Sequence, residues 1–203
     1  MTVACLLVAE ARCVVLIGPA AVGKSTIGPL LAARVGTSFV DLDEVAGRYY
    51  SEAGMSVTDF GTKIDAVGYA AAHRWWQPAR VNALQRVLDD CPGCVVVVGA
   101  GRTHFEDRQF ADAAASALRR HVVVLLLPER DRARSVALLR ERSVASKRHD
   151  WRVEDIDYLD VWVRSDQNRR LADHVIYLRE RTPIAVATHV AGALERTPGA
   201  EGP

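Results

Sequence analysis

One short segment near the start of the chain constrains the fold more than any other. It reads GPAAVGKS from Gly18 to Ser25, and it follows the apolar, β-branched run Cys13–Ile17. A run of this kind is typical of a buried strand. The residues that follow, Ser25–Val35, place apolar side chains at helical spacing up to Gly36, which is a common stop signal. The pattern predicts a strand, a glycine-rich turn and a helix in direct succession.

The spacing inside this turn predicts a phosphate-binding loop. Gly18 and the Gly23-Lys24-Ser25 triplet match the Walker A pattern in full. The two glycines allow backbone amides to point at phosphate oxygens, and the following helix directs its positive end at the same anion. Lys24 is the residue that reaches the β- and γ-phosphates, and the Ser25 hydroxyl is a magnesium ligand. The predicted nucleotide-binding residues of the loop are Gly18, Ala21, Val22, Gly23, Lys24, Ser25 and Thr26.

The rest of the chain alternates between apolar runs and helical periodicity. Further strands are predicted at 38–43, 94–101, 121–127 and 173–178. Helices are predicted at 44–50, 64–88 with a kink or break at Pro78, 105–119, 130–142, 154–171 and 182–194, whereas 51–63 reads as a loop and 143–153 has no period. This alternation predicts one α/β domain over residues 1–203, with a five-stranded parallel sheet flanked by helices in three layers. The tail 195–203 is expected to be frayed.

Composition excludes several classes of protein. The formal net charge of +1 over 203 residues argues against a nucleic-acid binder held by bulk electrostatics. The longest apolar run, Val122–Leu127, is far too short for a membrane span. The first thirteen residues lack a basic region before their apolar stretch, which predicts a cytoplasmic protein without a signal peptide. Cys91 and Cys94 have zinc-knuckle spacing, but without a second ligand pair a Pro-Gly turn is favoured over a metal or redox site.

The apolar strand at 94–101 argues against a motor or switch protein. Large P-loop ATPases place an acidic residue at the end of such a strand, whereas this strand ends in Gly99-Ala100-Gly101. The acidic candidates are instead Asp41 and Asp43 at the end of the second strand. Strand alternation would put both carboxylates on one face, beside the phosphate loop. One would orient a magnesium-bound water, and the other would accept the hydrogen bond, and the proton, of an acceptor hydroxyl. The alternative is an acidic helix cap.

Two further segments leave alternatives open. A basic stretch without periodicity could form a lid over a polyphosphate, excluding water and stabilising charge, or it could be a solvated surface. Its members are Arg140, Arg142, Lys147, Arg148 and Arg152. Trp75 and Trp76 could wall an acceptor pocket or fill the core.

The sequence resembles shikimate kinase and its small P-loop kinase relatives. The segments GPAAVGKSTIG, FVDLD, HRWWQ, VVVVGAG and ADHVIYL carry the resemblance, in the same order, over Val14–Val190. The resemblance implies a P-loop NTPase fold with a mobile lid at about 140–153. It also implies ATP and Mg²⁺ as cofactors and a small hydroxylated metabolite as the partner, bound by a monomer or homodimer.

The resemblance also implies roles for individual residues. Asp41 becomes a magnesium-orienting carboxylate and Asp43 a binder of the acceptor hydroxyl. Arg74 and Arg164 become grips for an acceptor carboxylate. The predicted acceptor-binding set is Asp43, Arg74, Gly99, Ala100, Gly101 and Arg164. Arg140 and Arg142 become lid arginines over the nucleotide, so the predicted catalytic residues are Lys24, Asp43 and Arg140.

Departures from the family pattern cluster on the acceptor side. Ala100 replaces the middle glycine of a glycine triple, Arg164–Asn168 reads RSDQN, and the lid lacks an Arg-Pro-Leu segment. These features predict a kinase that transfers the γ-phosphoryl group of Mg-ATP to a hydroxyl of a small polar metabolite other than shikimate. The alternatives are a true shikimate kinase, a nucleoside or nucleotide kinase, and a nucleotide-binding regulatory protein with weak turnover.

Overall fold

A computed structural model describes residues 12–179 and 181–195. The predictions for the first eleven residues and for the tail beyond 195 lie outside this part of the chain. A parallel sheet with the strand order β2-β3-β1-β4-β7 forms the centre of the fold, and β5 and β6 make a separate antiparallel hairpin. The strands are β1 Val14–Ile17, β2 Phe39–Asp41, β3 Val95–Val97, β4 Val122–Leu127, β5 Arg152–Val153, β6 Ile156–Asp157 and β7 His174–Tyr177.

Helices connect and cover these strands. They are α1 Lys24–Val35, α2 Leu42–Glu52, α3 Val57–Val67, α4 Tyr69–Trp75, α5 Gln77–Asp90, α6 Arg108–Leu118, α7 Arg132–Lys147, α8 Tyr158–Arg164, α9 Asp166–Leu171 and α10 Pro183–Glu195, with a short 3₁₀ turn at Ala100–Arg102. In the described residues, no helix is long and apolar enough to cross a membrane.

Two apolar clusters, one on each face of the sheet, confirm the predicted three layers. Alternate side chains of β1 point to opposite faces, as the pleat requires. Leu16 joins the cluster that includes Ile27 of α1 and Val190 of α10. Val15 joins the cluster that includes Leu84 of α5 on the other face. The sheet is therefore buried on both faces, which is why its strands are almost wholly apolar.

The parallel sheet also fixes where a site can form. β1 pairs in parallel with β3 on one side and with β4 on the other. The carboxyl ends of these strands therefore meet at one edge, where open α/β sheets bind ligands. The glycine-rich loop follows β1, Asp41 ends β2, and Gly99 follows β3 at that same edge.

The prediction of a loop at 51–63 is wrong. The second half of this stretch belongs to α3, which begins with a capping box: Asp59 N donates to Ser56 Oγ at 3.1 Å, and Ser56 N donates to Asp59 Oδ2 at 2.8 Å. Gly61 weakened the helical pattern, but it sits in open space on the helix surface. The cap sequence outweighs the helix cost of one glycine.

Two long predicted helices are broken in the structure. The stretch 64–88 divides at Gly68, which has a φ of 82°, and again at Trp76. The second division is the break predicted near Pro78, which lies in the first turn of α5. The stretch 154–171 divides into β6, α8 and α9, because Asp157 and Ser165 each cap a new helix. Conversely, α7 continues to Lys147 through residues that lack apolar periodicity.

Candidate active site

The loop between β1 and α1 is wound tightly enough to surround an anion. Gly18 and Gly23 have φ values of 141° and 102°, which favour glycine, and Ala21 also has a positive φ of 60°. A Cβ on Gly18 would lie 2.4 Å from the carbonyl oxygen of Leu126 in β4. The loop therefore packs directly on the neighbouring strand, and α1 begins at Lys24.

The Lys24 side chain is buried against the phosphate-binding loop. Its Nζ donates to the carbonyl oxygens of Gly18 at 2.8 Å and Pro19 at 2.9 Å. The pKa of Lys24 is lowered to about 8, chiefly by burial; the Asp43 carboxylate opposes this shift, and the charge of Lys147 contributes to it. An ammonium group that has only two carbonyl partners retains donor capacity for a phosphate oxygen.

Ser25 and Asp41 fit a magnesium ion. Ser25 Oγ donates to Asp41 Oδ2 at 2.7 Å, and the carboxylate is buried at the end of β2. Across residues 12–179 and 181–195, no group of three or more His, Cys, Asp or Glu side chains could hold a metal alone. Two hard oxygen donors beside a phosphate loop match the way Mg²⁺ is held, with phosphate oxygens and waters completing its shell.

Asp43 lies at this edge of the sheet, but in a different secondary-structure element from the one predicted. It lies in the first turn of α2 rather than on β2, and Asp41 caps that helix by accepting from Asp43 N at 3.0 Å. The helix-cap interpretation is therefore correct for Asp41, and its role at a magnesium ion stays a prediction. The Asp43 carboxylate accepts a hydrogen bond from Arg102 Nε at 2.6 Å and lies against Gly99.

A cavity of about 610 Å³ extends from the phosphate loop to the helices beyond β3. Its phosphate side carries Lys24, Ser25, Arg142 and Lys147. Six aromatic side chains on α2, α3, α4, α8 and the adjoining segments line the opposite side, and we call them the aromatic wall: Tyr50, Phe60, Tyr69, Trp76, Trp151 and Trp162. Asp43 and the Gly99–Arg102 segment also line the cavity, between its phosphate side and the aromatic wall.

Three of the predicted arginines do not line the cavity. Arg74 is 61% exposed and pairs with Asp107 at 2.7 Å, while Arg164 is 58% exposed and pairs with Asp160 within α8. Arg140 Nη1 donates to the carbonyl oxygen of Asp150 at 2.6 Å, and its Nη2 pairs with Asp157.

Arg142, Gly99, Ala100 and Gly101 do line the cavity, as do the loop residues Ala21, Gly23 and Thr26. Val22 is buried beneath the loop and joins the core cluster. The structure thus brings together the predicted phosphate side and the predicted glycine segment, but not the predicted carboxylate grips.

Four basic lining residues were not among the predicted site residues: His73, Arg80, Arg102 and Lys147, the last of which was named only as a member of the basic stretch. Arg80 is 2% exposed and donates to the carbonyl oxygens of His104 at 3.0 Å and His73 at 3.2 Å, as well as to Gly101. Nothing in the local sequence distinguishes Arg80 from an ordinary surface arginine of a helix. Arg102 directly follows the glycine segment Gly99–Gly101, and this position in the sequence could have indicated that it lies at the site.

The two adjacent tryptophans differ in environment. Trp76 is 4% exposed, lines the cavity and packs edge-on against Tyr50, with ring centroids 4.8 Å apart. Trp75 is 37% exposed, and its ring lies beneath the Lys63 ammonium group. Trp76 therefore both lines the cavity and packs in the core, whereas Trp75 does neither.

The fold and the site together define a P-loop kinase. A parallel sheet carries a Walker A loop after its central strand, with a serine-carboxylate pair beside the loop and a cavity that extends away from it. Residues 20–195 match the family model described as "Shikimate kinase". The chain therefore belongs to the shikimate kinase family, whose members phosphorylate a hydroxyl group, and the resemblance proposed from the sequence is confirmed.

The chain is similar in fold to several solved structures, including two shikimate kinases and a gluconokinase. Shikimate kinase from Acinetobacter baumannii in complex with shikimate has a TM-score of 0.60 and 18% identity, covering 93% of this chain and 96% of that chain. Shikimate kinase from Aquifex aeolicus has a TM-score of 0.60 and 21% identity, covering 91% and 96%. A gluconokinase from Sinorhizobium meliloti has a TM-score of 0.54 and 18% identity, covering 92% and 93%. No curated protein matches the chain.

Proposed function

We propose that this protein transfers the γ-phosphoryl group of Mg-ATP to a hydroxyl group of a small molecule that binds in the cavity. One observation carries the proposal: Lys24, Ser25 and Asp43 line a single continuous space. Phosphoryl transfer needs the donor phosphate and the acceptor oxygen in line and close together, and positioning plus charge stabilisation supply most of the rate.

The donor side has the groups that such a reaction requires. Backbone amides of the loop and the amino-terminal end of α1 would hold the phosphates, and Lys24 would exchange its carbonyl partners for phosphate oxygens. Ser25 and Asp41 would hold the magnesium ion, which, when bound, neutralises charge on the β- and γ-phosphates. These assignments rest on the 2.7 Å bond between Ser25 and Asp41 and on the burial of Lys24.

Asp43 would position the acceptor hydroxyl. Its carboxylate is half-exposed to the cavity and held on one oxygen by Arg102. The second oxygen is available to accept a hydrogen bond from the attacking hydroxyl, which would fix the direction of attack. Because little covalent chemistry falls to the protein in this reaction, positioning is the main contribution of Asp43, and proton acceptance is secondary.

Two cations at the end of α7 would take the role predicted for Arg140. Arg142 and Lys147 line the cavity, and the charge of Lys147 is close enough to Lys24 to lower its pKa. Cations in these positions would stabilise the charge that develops during transfer. Arg140, tied to Asp150 and Asp157, would anchor this end of α7 to the β5–β6 hairpin.

The cavity also favours this function over two of the alternatives. A regulatory protein with weak turnover has no need of a cavity that extends from the phosphate loop to a second set of side chains. Shikimate as the acceptor is disfavoured, because Arg74 and Arg164 face away from the cavity and are paired with Asp107 and Asp160.

A screen for phosphorylated products tests the proposal. Purified protein is incubated with Mg-ATP and a panel of hydroxylated acids, sugars, cyclitols, nucleosides and aryl alcohols, and products are identified by mass spectrometry. We expect at least one compound to be phosphorylated by the native chain and not by Lys24→Ala. Asp43→Asn should reduce transfer about 100-fold, whereas Asp65→Asn, a change of an exposed carboxylate on α3, should not. Full transfer by Lys24→Ala, or none by the native chain, contradicts the proposal.

A further inference from the structure

The acceptor side of the cavity is enclosed by a continuous series of aromatic rings. Trp76 contacts Tyr50 and Phe60, with centroids 4.8 and 5.0 Å apart, and Phe60 leads to Tyr69 at 6.2 Å. The lining continues through the hairpin side, where Trp151 and Trp162 lie 5.0 Å apart.

The β5–β6 hairpin closes this space from the side of α4. Glu154 Oε1 accepts a hydrogen bond from Tyr69 N at 2.7 Å, and the turn approaches so closely that a Cβ on Gly68 would lie 2.5 Å from that oxygen. Tyr158 joins the two halves, because its ring contacts both Tyr69 and Trp162. The aromatic wall is therefore a single built surface rather than a set of scattered rings.

The charged groups on this side are already neutralised. Arg102 pairs with Asp43, and the buried Arg80 is held by three backbone carbonyls and lies 3.7 Å from Glu106. Burial lowers the pKa of His73, so that this ring is neutral near pH 7. Within the described part of the chain, the lining cations that form no ion pair with a carboxylate are Lys24, Arg142 and Lys147, and they lie on the phosphate side. A carboxylate on the acceptor would therefore be desolvated without a free cation to receive it.

One buried polar atom in the wall still lacks a partner. Trp162 is 2% exposed, lines the cavity, and its Nε1 has no hydrogen-bond partner within the described chain. The ring atom Cζ2, two bonds from Nε1, would lie 3.9 Å from a Cβ on Gly101. Nε1 itself has almost no accessible surface, so an oxygen atom of a ligand could reach it only after the surrounding side chains shift.

We propose that the acceptor is an uncharged alcohol that carries an aromatic ring. This inference rests on the proposed kinase function. The ring would stack between Phe60, Trp76 and their neighbours, and each aromatic pair adds about 0.5–1.5 kcal/mol beyond the apolar area that it buries. The reacting hydroxyl would lie at Asp43. The aromatic wall would thus determine which molecule binds, and Asp43 would determine which of its hydroxyl groups is phosphorylated.

The test compares three classes of acceptor at equal concentration: uncharged aryl alcohols including nucleosides, uncharged polyols without an aromatic ring such as inositol, and hydroxy acids such as shikimate and gluconate. We expect kcat/KM for the best aryl alcohol to exceed that of every polyol and acid at least tenfold. If an acid or a ringless polyol is the best acceptor, and its phosphorylation needs Lys24, the inference fails and the proposed kinase function stands.

Matched variants separate stacking from a general loss of structure. Phe60→Leu removes a partly exposed ring of the wall, and Trp75→Leu removes the neighbouring tryptophan that does not line the cavity. We expect Phe60→Leu to raise KM for the aryl alcohol about tenfold, with kcat and Mg-ATP affinity nearly unchanged, and Trp75→Leu to change neither constant. An unchanged KM in Phe60→Leu overturns the inference.

A binding measurement covers the case in which the native chain phosphorylates no compound. Three of the four tryptophans line the cavity, so a bound aromatic ring should quench their fluorescence. Quenching by aryl alcohols that weakens in Phe60→Leu would support the ring-binding site while the kinase proposal fails. Absence of quenching would overturn the inference as well.

Discussion

Replacing Gly99 by alanine tests whether Asp43 must lie where the structure places it. Gly99 has φ −58° and ψ 152°, a conformation that alanine adopts without strain. Any effect of the change must therefore come from the new methyl group. A Cβ at this position would lie 2.4 Å from Asp43 Oδ1 and 2.8 Å from Oδ2.

The size of the effect follows from these distances. Ordinary contacts with a Cβ begin at 3.4 Å, so the carboxylate must retreat by about 1 Å. That movement also disturbs its 2.6 Å bond to Arg102. A misplacement of about 1 Å at a positioning group costs about 100-fold in rate, which is about 2.7 kcal/mol of transition-state stabilisation. The fold itself should lose little stability, because the atoms that must move belong to the end of a side chain.

The assay is steady-state phosphoryl transfer to the best acceptor from the screen, together with calorimetric binding of Mg-ATP. We expect Gly99→Ala to lower kcat about 100-fold and to leave nucleotide affinity unchanged. Gly47→Ala on α2 is the matched control, since a Cβ there meets nothing within 4 Å; it should leave transfer intact and raise stability by about 0.5–1 kcal/mol. A kcat for Gly99→Ala within about threefold of the native value would refute the role assigned to Asp43.

Three further predictions address single residues. Because burial holds the pKa of Lys24 near 8, this side chain is largely neutral at pH 9. A bound polyphosphate will raise its pKa, so calorimetry in two buffers should show uptake of nearly one proton on nucleotide binding at pH 9. The absence of proton uptake would contradict this prediction. Arg80→Met leaves three backbone carbonyls without their guanidinium donor and removes the cation near Glu106, so the free energy of unfolding in urea should fall by about 3 kcal/mol. In contrast, Arg86→Met, which loses exposed ion pairs, should cost less than about 1 kcal/mol. Ser56→Ala removes the capping box of α3 and should cost about 1 kcal/mol in the same assay; an unchanged midpoint would contradict it.

Local sequence was sufficient for the donor side of the site. The phosphate loop is contiguous, and its glycines are needed for backbone conformations that other residues rarely adopt, so the pattern in the sequence is the geometry of the site. Asp41 was predictable for a similar reason. It ends β2, which lies in the same parallel sheet as β1 with only β3 between them, and the carboxyl ends of parallel strands meet at one edge.

Local sequence was not sufficient for the acceptor side. Its residues come from five helices and a loop, and helix phase decides which side chains face the cavity. Arg74 and Arg80 are six positions apart, yet the first is exposed and the second is 2% exposed. The break at Trp76 resets the helix phase between them, and no periodicity measured across a continuous helix could show this.

The sequence by itself therefore determined the fold class, the phosphate loop and its serine-carboxylate partner, because each depends on a short segment with its own backbone requirement. Only the tertiary structure decided the nature of the acceptor cavity. It turned the predicted carboxylate grips outward, placed Trp76 inside and Trp75 outside, and assembled rings from α2, α3, α4 and α8 into one wall. The physical reason is that a wall built from separate helices depends on how those helices pack, and packing is a property of the whole chain.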